Sequence, residues 1–342
     1  MTLTAATVFH YLRDRGFLSS AAAQDSFSVS ELRHRHLTLL VQAGSLGYAV
    51  KQAGSTHRQA SVVSEAAWYW LCQNDLRFEP IRPLLPTAHS WDPKNFILIL
   101  DRLPFIPLWD LDAIHRFHPG RAARIGEAAA TVHASTTWLP HAAQLKMQFP
   151  GNPSTFVNYH AILSGQSLEP LSKGGKQFHD VIRKQSGFEP LLRPLLEDWN
   201  PQALTHGDWK LPNCLVDPLD PDAPIRMLDW ELADAGEPLW DCGTILQSYW
   251  YGWVLNPNEV HLDSIRPALH AFWNAYASAS PFGSANGART MAVRFAAARM
   301  LQTAWEQAKL GDSLTAPVVR LVQASWNIIE NPKAAEAVFF EL

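Results

Sequence analysis

Polar and apolar positions alternate through three successive stretches early in the chain, residues 27–32 (FSVSEL), 37–42 (LTLLVQ) and 46–52 (LGYAVKQ). That is the period-two pattern of β-strands, because successive side chains on a strand point to opposite faces. Only Ala43-Gly44-Ser45 separates the second stretch from the third, so an antiparallel hairpin is expected there. Ahead of them, residues 8–17 read as a short amphipathic helix stopped at Gly16. Behind them comes a helix from about Gln59 to Asn74, then the apolar run 96–100 (FILIL), a further strand ended by Asp101-Arg102-Leu103-Pro104.

Past that point the pattern turns helical. Residues 121–135 (RAARIGEAAATVHAS) and 288–309 carry the most regular helical periodicity. Strands with one main helix, followed by a long helical remainder, predict an α+β fold: a small β-rich N-lobe and a larger α-helical C-lobe. The boundary falls near residues 101–105, giving residues 1–103 as the first domain and 104–342 as the second. Residues 140–175, broken by Pro and Gly, read as an irregular insertion of the kind that often serves as a functional loop.

Composition narrows the function classes. With 47% hydrophobic and 18% charged residues in a chain of 342, a folded globular protein is expected. The net charge of −4 argues against broad capture of nucleic acid, which needs an excess of Lys and Arg. No run approaches the roughly 18 apolar residues of a membrane span, and residues 1–18 show no secretory pattern, so no membrane is expected and the expected compartment is the cytoplasm. Cys72, Cys214 and Cys242 are scattered, without metal-ligand or disulfide spacing, and are expected to be reduced and partly buried. The 14 tryptophans, many in the C-terminal half, predict a large aromatic core.

The chemistry lies in residues 204–235 (LTHGDWKLPNCLVDPLDPDAPIRMLDWELADA). His206-Gly207-Asp208 is followed by Asn213 five residues after the aspartate, and by Asp229-Trp230-Glu231 sixteen residues after Asn213. Between them CLV and RML look like two short strands joined by a Pro/Asp turn, which would bring Asn213 and Asp229 to one end of a hairpin. HGDxxxxN, hairpin and DWE together resemble the catalytic and metal loops of the aminoglycoside phosphotransferase and choline kinase superfamily, relatives of protein kinases. The resemblance covers roughly residues 27–307, with specificity concentrated in the catalytic segment. It implies a protein kinase-like two-lobed fold, ATP and Mg²⁺ as cofactors, and a hydroxyl acceptor. Asp208 is then the base beside the incoming hydroxyl, Asn213 and Asp229 the oxygen ligands of Mg²⁺, and His206 and Gly207 holders of the loop backbone. Lys210 stands where the Ser/Thr protein-kinase catalytic loop has its lysine and would neutralise charge on the transferring group; a solvated lysine is the alternative.

Lys51, in YAVK, resembles the lysine of the third kinase strand that grips the α- and β-phosphates. Glu65 falls on the same helical stripe as Val62, Tyr69 and Cys72. A carboxylate on an apolar face needs a partner, and Lys51 is the natural one. The chain departs from the family in the loop over the phosphates, which reads Arg33-His34-Arg35-His36 without glycine. Either Arg33 and Arg35 help to hold phosphates there, or the turn is simply a solvated basic one. Residues 97–103, ending with Asp101 and Leu103, correspond to the strand and hinge against whose backbone adenine would lie. In GEPLWD, Asp241 corresponds to a buried acceptor bracing the catalytic loop.

The acceptor is less constrained, because fold does not settle substrate. Between residues 146 and 184 the bases Lys146, Lys173, Lys176, Arg183 and Lys184 outnumber the acids Glu169 and Asp180, which weighs against a polycationic aminoglycoside. VKQ, HGDWKxxN, DWELAD and WDxGxxLQSYxxxW are similar to motifs of the kinases of class V lanthipeptide and thioviridamide-type biosynthesis. That likeness implies Ser or Thr of a ribosomally made precursor peptide as acceptor, with a lyase as partner protein. A small-molecule O-phosphotransferase (antibiotic, sugar or choline-like acceptor) and a nucleotide-binding pseudokinase scaffold are the alternatives.

Overall fold

The expected hairpin anchors a five-stranded antiparallel sheet in the order β1-β2-β3-β5-β4, with β1 Ser28–Arg33, β2 Leu37–Ala43, β3 Leu46–Gln52, β4 Ala88–Asp92 and β5 Ile97–Asp101. Ala43 pairs with Leu46 across the turn, where Gly44 takes a left-handed φ of +57° that a side chain would resist. This is a computed structural model of the chain, and it describes residues 2–23, 26–33, 36–146, 148–151, 171–184 and 187–340. Two compact units emerge, Met1–Phe105 with Arg226–Leu232, and Ile106–Ile225 with Ala233–Leu342.

In the first unit, α1 (Val8–Asp14) lays Val8, Tyr11 and Leu12 on a cluster with Leu39, Val41, Val50, Ile97 and Ile99. The helix stops as its sequence suggested: Gly16 has φ +79°, and the amide of Phe17 returns to the carbonyl of Leu12. In β5, Ile97, Leu98, Ile99 and Leu100 are all buried, a central strand covered on both faces. Helix α2 (Gln59–Asn74) buries Val62, Glu65, Ala66, Trp68, Tyr69 and Cys72. Trp68 stacks on Trp230, ring centroids 5.1 Å apart, and this contact ties the segment Arg226–Leu232 to the first unit. Strand β4 (AHSWD) has no alternation to announce it: it is mostly part-exposed and pairs with β5 through an irregularity between Ala88 and Ser90.

The second unit is mostly helical. Its long central helix, Pro238–Leu255, buries nearly every side chain and lies against Ala288–Ala308, which in turn packs on Ala316–Glu330. Pro119–Ser135 packs closely on Leu262–Ala279. Gly126 makes that approach feasible, since a Cβ there would sit 2.3 Å from the carbonyl oxygen of Phe272. The aromatic core is present, with Trp209, Trp240 and Trp250 buried and Trp250 stacked on Phe339 at 3.9 Å. All three cysteines are free and buried, and burial pushes the thiols of Cys72 and Cys214 up to about 12, so they stay protonated. Two short ribbons frame the candidate catalytic segment: Ala203–Thr205 pairs with Asp234–Gly236, and Ile106–Pro107 with Cys214–Val216. Much of the 140–175 insertion, including residues 152–170, lies outside the described residues.

Candidate active site

In the first unit, β3 turns Lys51 to the sheet face opposite Val50, and α2 presents Glu65 one turn after Val62. Lys51 Nζ donates to Glu65 Oε2 at 2.6 Å and to Asp229 Oδ1 at 2.5 Å. The stripe argument thus leads to a real ion pair. Burial by itself would lower the ammonium's pKa, but the two carboxylates outweigh it and raise it, so Lys51 stays charged. Burial pushes the Glu65 carboxyl upward, with Lys51 opposing. Asp229 has φ +66°, a left-handed conformation that a non-glycine residue keeps only where its surroundings hold it. Its neighbour Trp230, locked on Trp68, supplies part of that hold. Two residues on, Glu231 Oε2 is 2.9 Å from His36 Nε2, at the end of the basic turn.

Arg33 ends β1, while His34 and Arg35 lie outside the described residues. Asp101 ends β5 with its amide donating to Thr87 and its Oδ1 2.5 Å from His89 Nε2, so both its polar ends serve the sheet. Leu103 lies half-buried in the loop that follows.

In the second unit, the ribbon strand Ala203–Thr205 delivers the chain into His206, Gly207 and Asp208. Asp241, fully buried in the first turn of Pro238–Leu255, accepts the amide of His206 at 2.7 Å on Oδ2 and that of Gly207 at 3.0 Å on Oδ1. His133 Nε2 stands 3.2 Å from Asp241 Oδ2, and the Trp240 indole donates to the Gly207 carbonyl at 3.1 Å. Gly207 itself has φ +80°, so the loop requires glycine there. Buried Trp209 and the bond from the Leu211 amide to Ser248 Oγ (3.0 Å) pin its far side.

Asp208 emerges between two cations. Lys210 Nζ donates to Oδ2 at 2.6 Å, and Arg299, from the helix Ala288–Ala308, donates to Oδ1 at 2.8 Å. Lys210 is therefore engaged with the carboxylate rather than merely solvated. Burial would raise the Asp208 pKa, but the charges of Arg299 and Lys210 and the Lys210 hydrogen bond outweigh it and hold the carboxyl below the ordinary aspartate value. Asn213, at the end of a 3₁₀ turn, donates its side-chain amide to the Asp208 carbonyl at 2.9 Å, which leaves Oδ1 as the end of the amide that can accept. Arg299 continues to Glu306 Oε1 at 3.2 Å.

Arg299, Glu306 and His133 were not among the residues the motifs pointed to. One signal existed for Arg299: it shares the buried stripe of its helix with Phe295 and Gln302, and a charge on a buried stripe demands a partner, as Glu65 does. Among the described residues no group of three or more His, Cys, Asp or Glu side chains is arranged to hold a metal ion. No helix there is long and apolar enough to cross a membrane.

Residues 33–282 match the model of the phosphotransferase enzyme family known as APH. No curated protein matches the sequence. Among solved structures the chain is similar to an ethanolamine kinase of Plasmodium vivax, with TM-score 0.64, 13% identity, and 96% of this chain and 91% of that chain covered. It is also similar to a choline/ethanolamine kinase family protein of Mesorhizobium loti, with TM-score 0.58, 17% identity, and 96% and 97% covered. A third is the GDP complex of aminoglycoside 2'-phosphotransferase-IIIa, with TM-score 0.54, 13% identity, and 97% and 99% covered. At such identities these likenesses are of fold, and they match the small antiparallel-sheet unit and helical unit seen here. With the family model spanning most of the sequence and the HGD, DWE and Lys–Glu elements in place, the chain belongs to the APH phosphotransferase enzyme family and is a kinase.

Proposed function

We propose that this kinase transfers the γ-phosphoryl group of Mg²⁺-ATP to a hydroxyl, and that the acceptor is a Ser or Thr of a ribosomally made precursor peptide whose phosphate a partner lyase later eliminates. The observation that carries the reading is the fixed, ionised Asp208, held on both oxygens by Arg299 and Lys210 above a loop braced by Asp241. Phosphoryl transfer proceeds through a loose transition state, so the protein's work is positioning and charge stabilisation more than proton removal. A carboxylate kept ionised by two cations suits that work. It accepts the hydrogen bond of the incoming hydroxyl, aims its oxygen, and takes the proton late.

Lys51, kept charged by Glu65 and Asp229, is the candidate for the nucleotide's α- and β-phosphates. A phosphotransferase with GDP bound is among the similar structures, which supports a nucleotide as donor. Mg²⁺ takes oxygen ligands and only one or two carboxylates, completing its shell with phosphate and water. The Asp229 carboxylate and the Asn213 amide oxygen fit that donor set, and the ion would neutralise charge on the phosphate oxygens. Arg33 and Arg35 remain candidates for phosphate contact, and the Asp101–Leu103 hinge for adenine.

Lys210 bonded to Asp208 supports the peptide reading, since this is the protein-kinase arrangement the motif resembles. Choline, sugars and antibiotics are the competing acceptors, and the intact Lys51–Glu65 pair speaks against a scaffold without turnover. The test is mass spectrometry after incubation with Mg²⁺-ATP and Ser/Thr peptides encoded beside the gene, with Asp208→Asn as control. A gain of roughly 80 Da, one phosphoryl group, made only by the unmutated protein supports the peptide reading. Product only with a choline, sugar or aminoglycoside panel replaces it with the small-molecule one, and nucleotide binding without any product favours the scaffold.

A further inference from the structure

We propose that Arg299 is the positioning residue of Asp208: its guanidinium, bridging Asp208 and Glu306, sets the direction in which the catalytic carboxylate faces the acceptor hydroxyl. The inference rests on the reading of Asp208 as the carboxylate that meets the acceptor. Two cations touch Asp208, yet they are not equivalent. The Lys210 side chain is 35% exposed, on the same loop as the aspartate and two residues from it. Its ammonium sits on a flexible stem and bonds as a point charge without directional preference. Arg299 is only 6% exposed and comes from the middle of a buried helix 91 residues away in sequence.

The planar fork of Arg299 has a second fixed point. One terminal nitrogen donates to Asp208 Oδ1 at 2.8 Å and the other to Glu306 Oε1 at 3.2 Å. Glu306 also accepts from Gln302 Nε2 at 3.0 Å, so it is held in turn by the helix that carries Arg299. With both nitrogens engaged, the guanidinium plane is fixed, and with it the position of Oδ1. A lysine at 299 keeps the charge but cannot bridge two carboxylates in one plane. The charge of Asp208 is thus shared between Arg299 and Lys210, while its orientation comes from Arg299.

The test uses the full chain with Mg²⁺-ATP, following ADP release with water as acceptor and phosphoryl transfer to the Ser/Thr peptide panel. Affinity for a fluorescent ADP is measured alongside. Arg299→Met is expected to lower kcat by about 100-fold, the scale of a misplaced reacting group, with ADP affinity within about 3-fold of the unmutated protein. Millimolar guanidinium should restore part of the rate. Arg299→Lys, which keeps the buried charge should Arg299→Met fail to fold, is expected to lose roughly 10-fold in kcat with nucleotide affinity retained. Adding Arg299→Met to Asp208→Asn should cost almost nothing further, because the two act as one unit.

Turnover of Arg299→Lys equal to that of the unmutated protein overturns the positioning role. So does a kcat loss that adds fully to that of Asp208→Asn, or one that tracks loss of ADP binding without rescue. If Asp208→Asn itself retains full turnover, the Asp208 reading fails and the role of Arg299 falls with it. An inactive Asp208→Asn beside unaffected Arg299 variants removes the positioning role alone.

Discussion

Asp241→Asn tests the bracing of the catalytic loop with a change of a single group and almost no change of volume. In the native protein one fully buried carboxylate accepts two successive backbone amides, His206 on Oδ2 and Gly207 on Oδ1, with His133 against Oδ2 as well. Asparagine offers one accepting oxygen and one NH₂. Whichever way the amide turns, one loop N–H then faces another donor. Leaving a buried donor unsatisfied costs about 1–3 kcal/mol, and demoting the surviving charge-assisted bond to a neutral one costs about 1 kcal/mol more. The total is about 2–4 kcal/mol. For a unit of this size each kcal/mol moves the thermal midpoint by about 2–4 °C, so a drop of roughly 5–15 °C is expected by calorimetry. The loop that relaxes carries Asp208, so kcat should fall by about 100-fold even at temperatures where the variant is folded. A midpoint within about 1 °C of the unmutated protein, with kcat unchanged, would refute the idea that Asp241 holds this loop.

Two further outcomes follow from packing and charge. In the first unit Asp92 accepts from Tyr11 at 3.0 Å and from Asn95 at 2.8 Å, and pairs with Arg15. Burial acts to raise its pKa, but these bonds and the Arg15 charge prevail and lower it. A lowered folded-state pKa means the group binds its proton less readily in the folded than in the unfolded chain. Its contribution to stability is therefore complete above the unfolded value of about 3.9 and is lost as pH falls through the still lower folded value. Asp92→Asn should thus be less stable than the unmutated protein in urea at pH 7, with the gap closing as pH drops below about 4; a gap independent of pH contradicts this. In the second unit, Gly126→Ala places a Cβ 2.3 Å from the Phe272 carbonyl and 3.0 Å from the Tyr276 amide. Overpacking of this kind costs about 1–3 kcal/mol, read as a lower thermal midpoint, and an unchanged midpoint would mean the two helices can separate freely.

Some of this architecture is written in local pattern. The hairpin of β2 and β3 and the helix α2 follow from alternation, turn residues and a helical stripe, each a consequence of where neighbouring side chains point along one backbone, and β5 follows from an unbroken apolar run, the mark of a strand covered on both faces. Strand β4 is silent in the sequence because an edge strand, part-exposed and bulged, need not alternate. The segment Arg226–Leu232 illustrates a second gap. By chain order it belongs with the helical half, yet Trp230 stacks on Trp68 and Asp229 meets Lys51, and nothing local announces contacts to residues so distant in the chain.

The candidate site divides along the same line. His206, Asp208, Asn213 and Asp229 stood out because their spacing resembles the catalytic and metal loops of a known family, in which a base and oxygen ligands are kept at set intervals along the chain. Periodicity likewise put Glu65 on a buried stripe and so obliged it to pair with Lys51. The electrostatic setting of Asp208 was decided elsewhere. Arg299 reaches it from a helix 91 residues away, and Glu306 stands behind Arg299. Which buried charge answers which depends on how helices pack, and packing is a property of the assembled core rather than of any stretch of sequence. The sequence by itself, through the motifs it shares with a family, pointed to the kind of chemistry and to the candidate loop; the tertiary structure decided which groups hold that loop and which cations meet its Asp208 carboxylate, because those partners come together only when the helices pack.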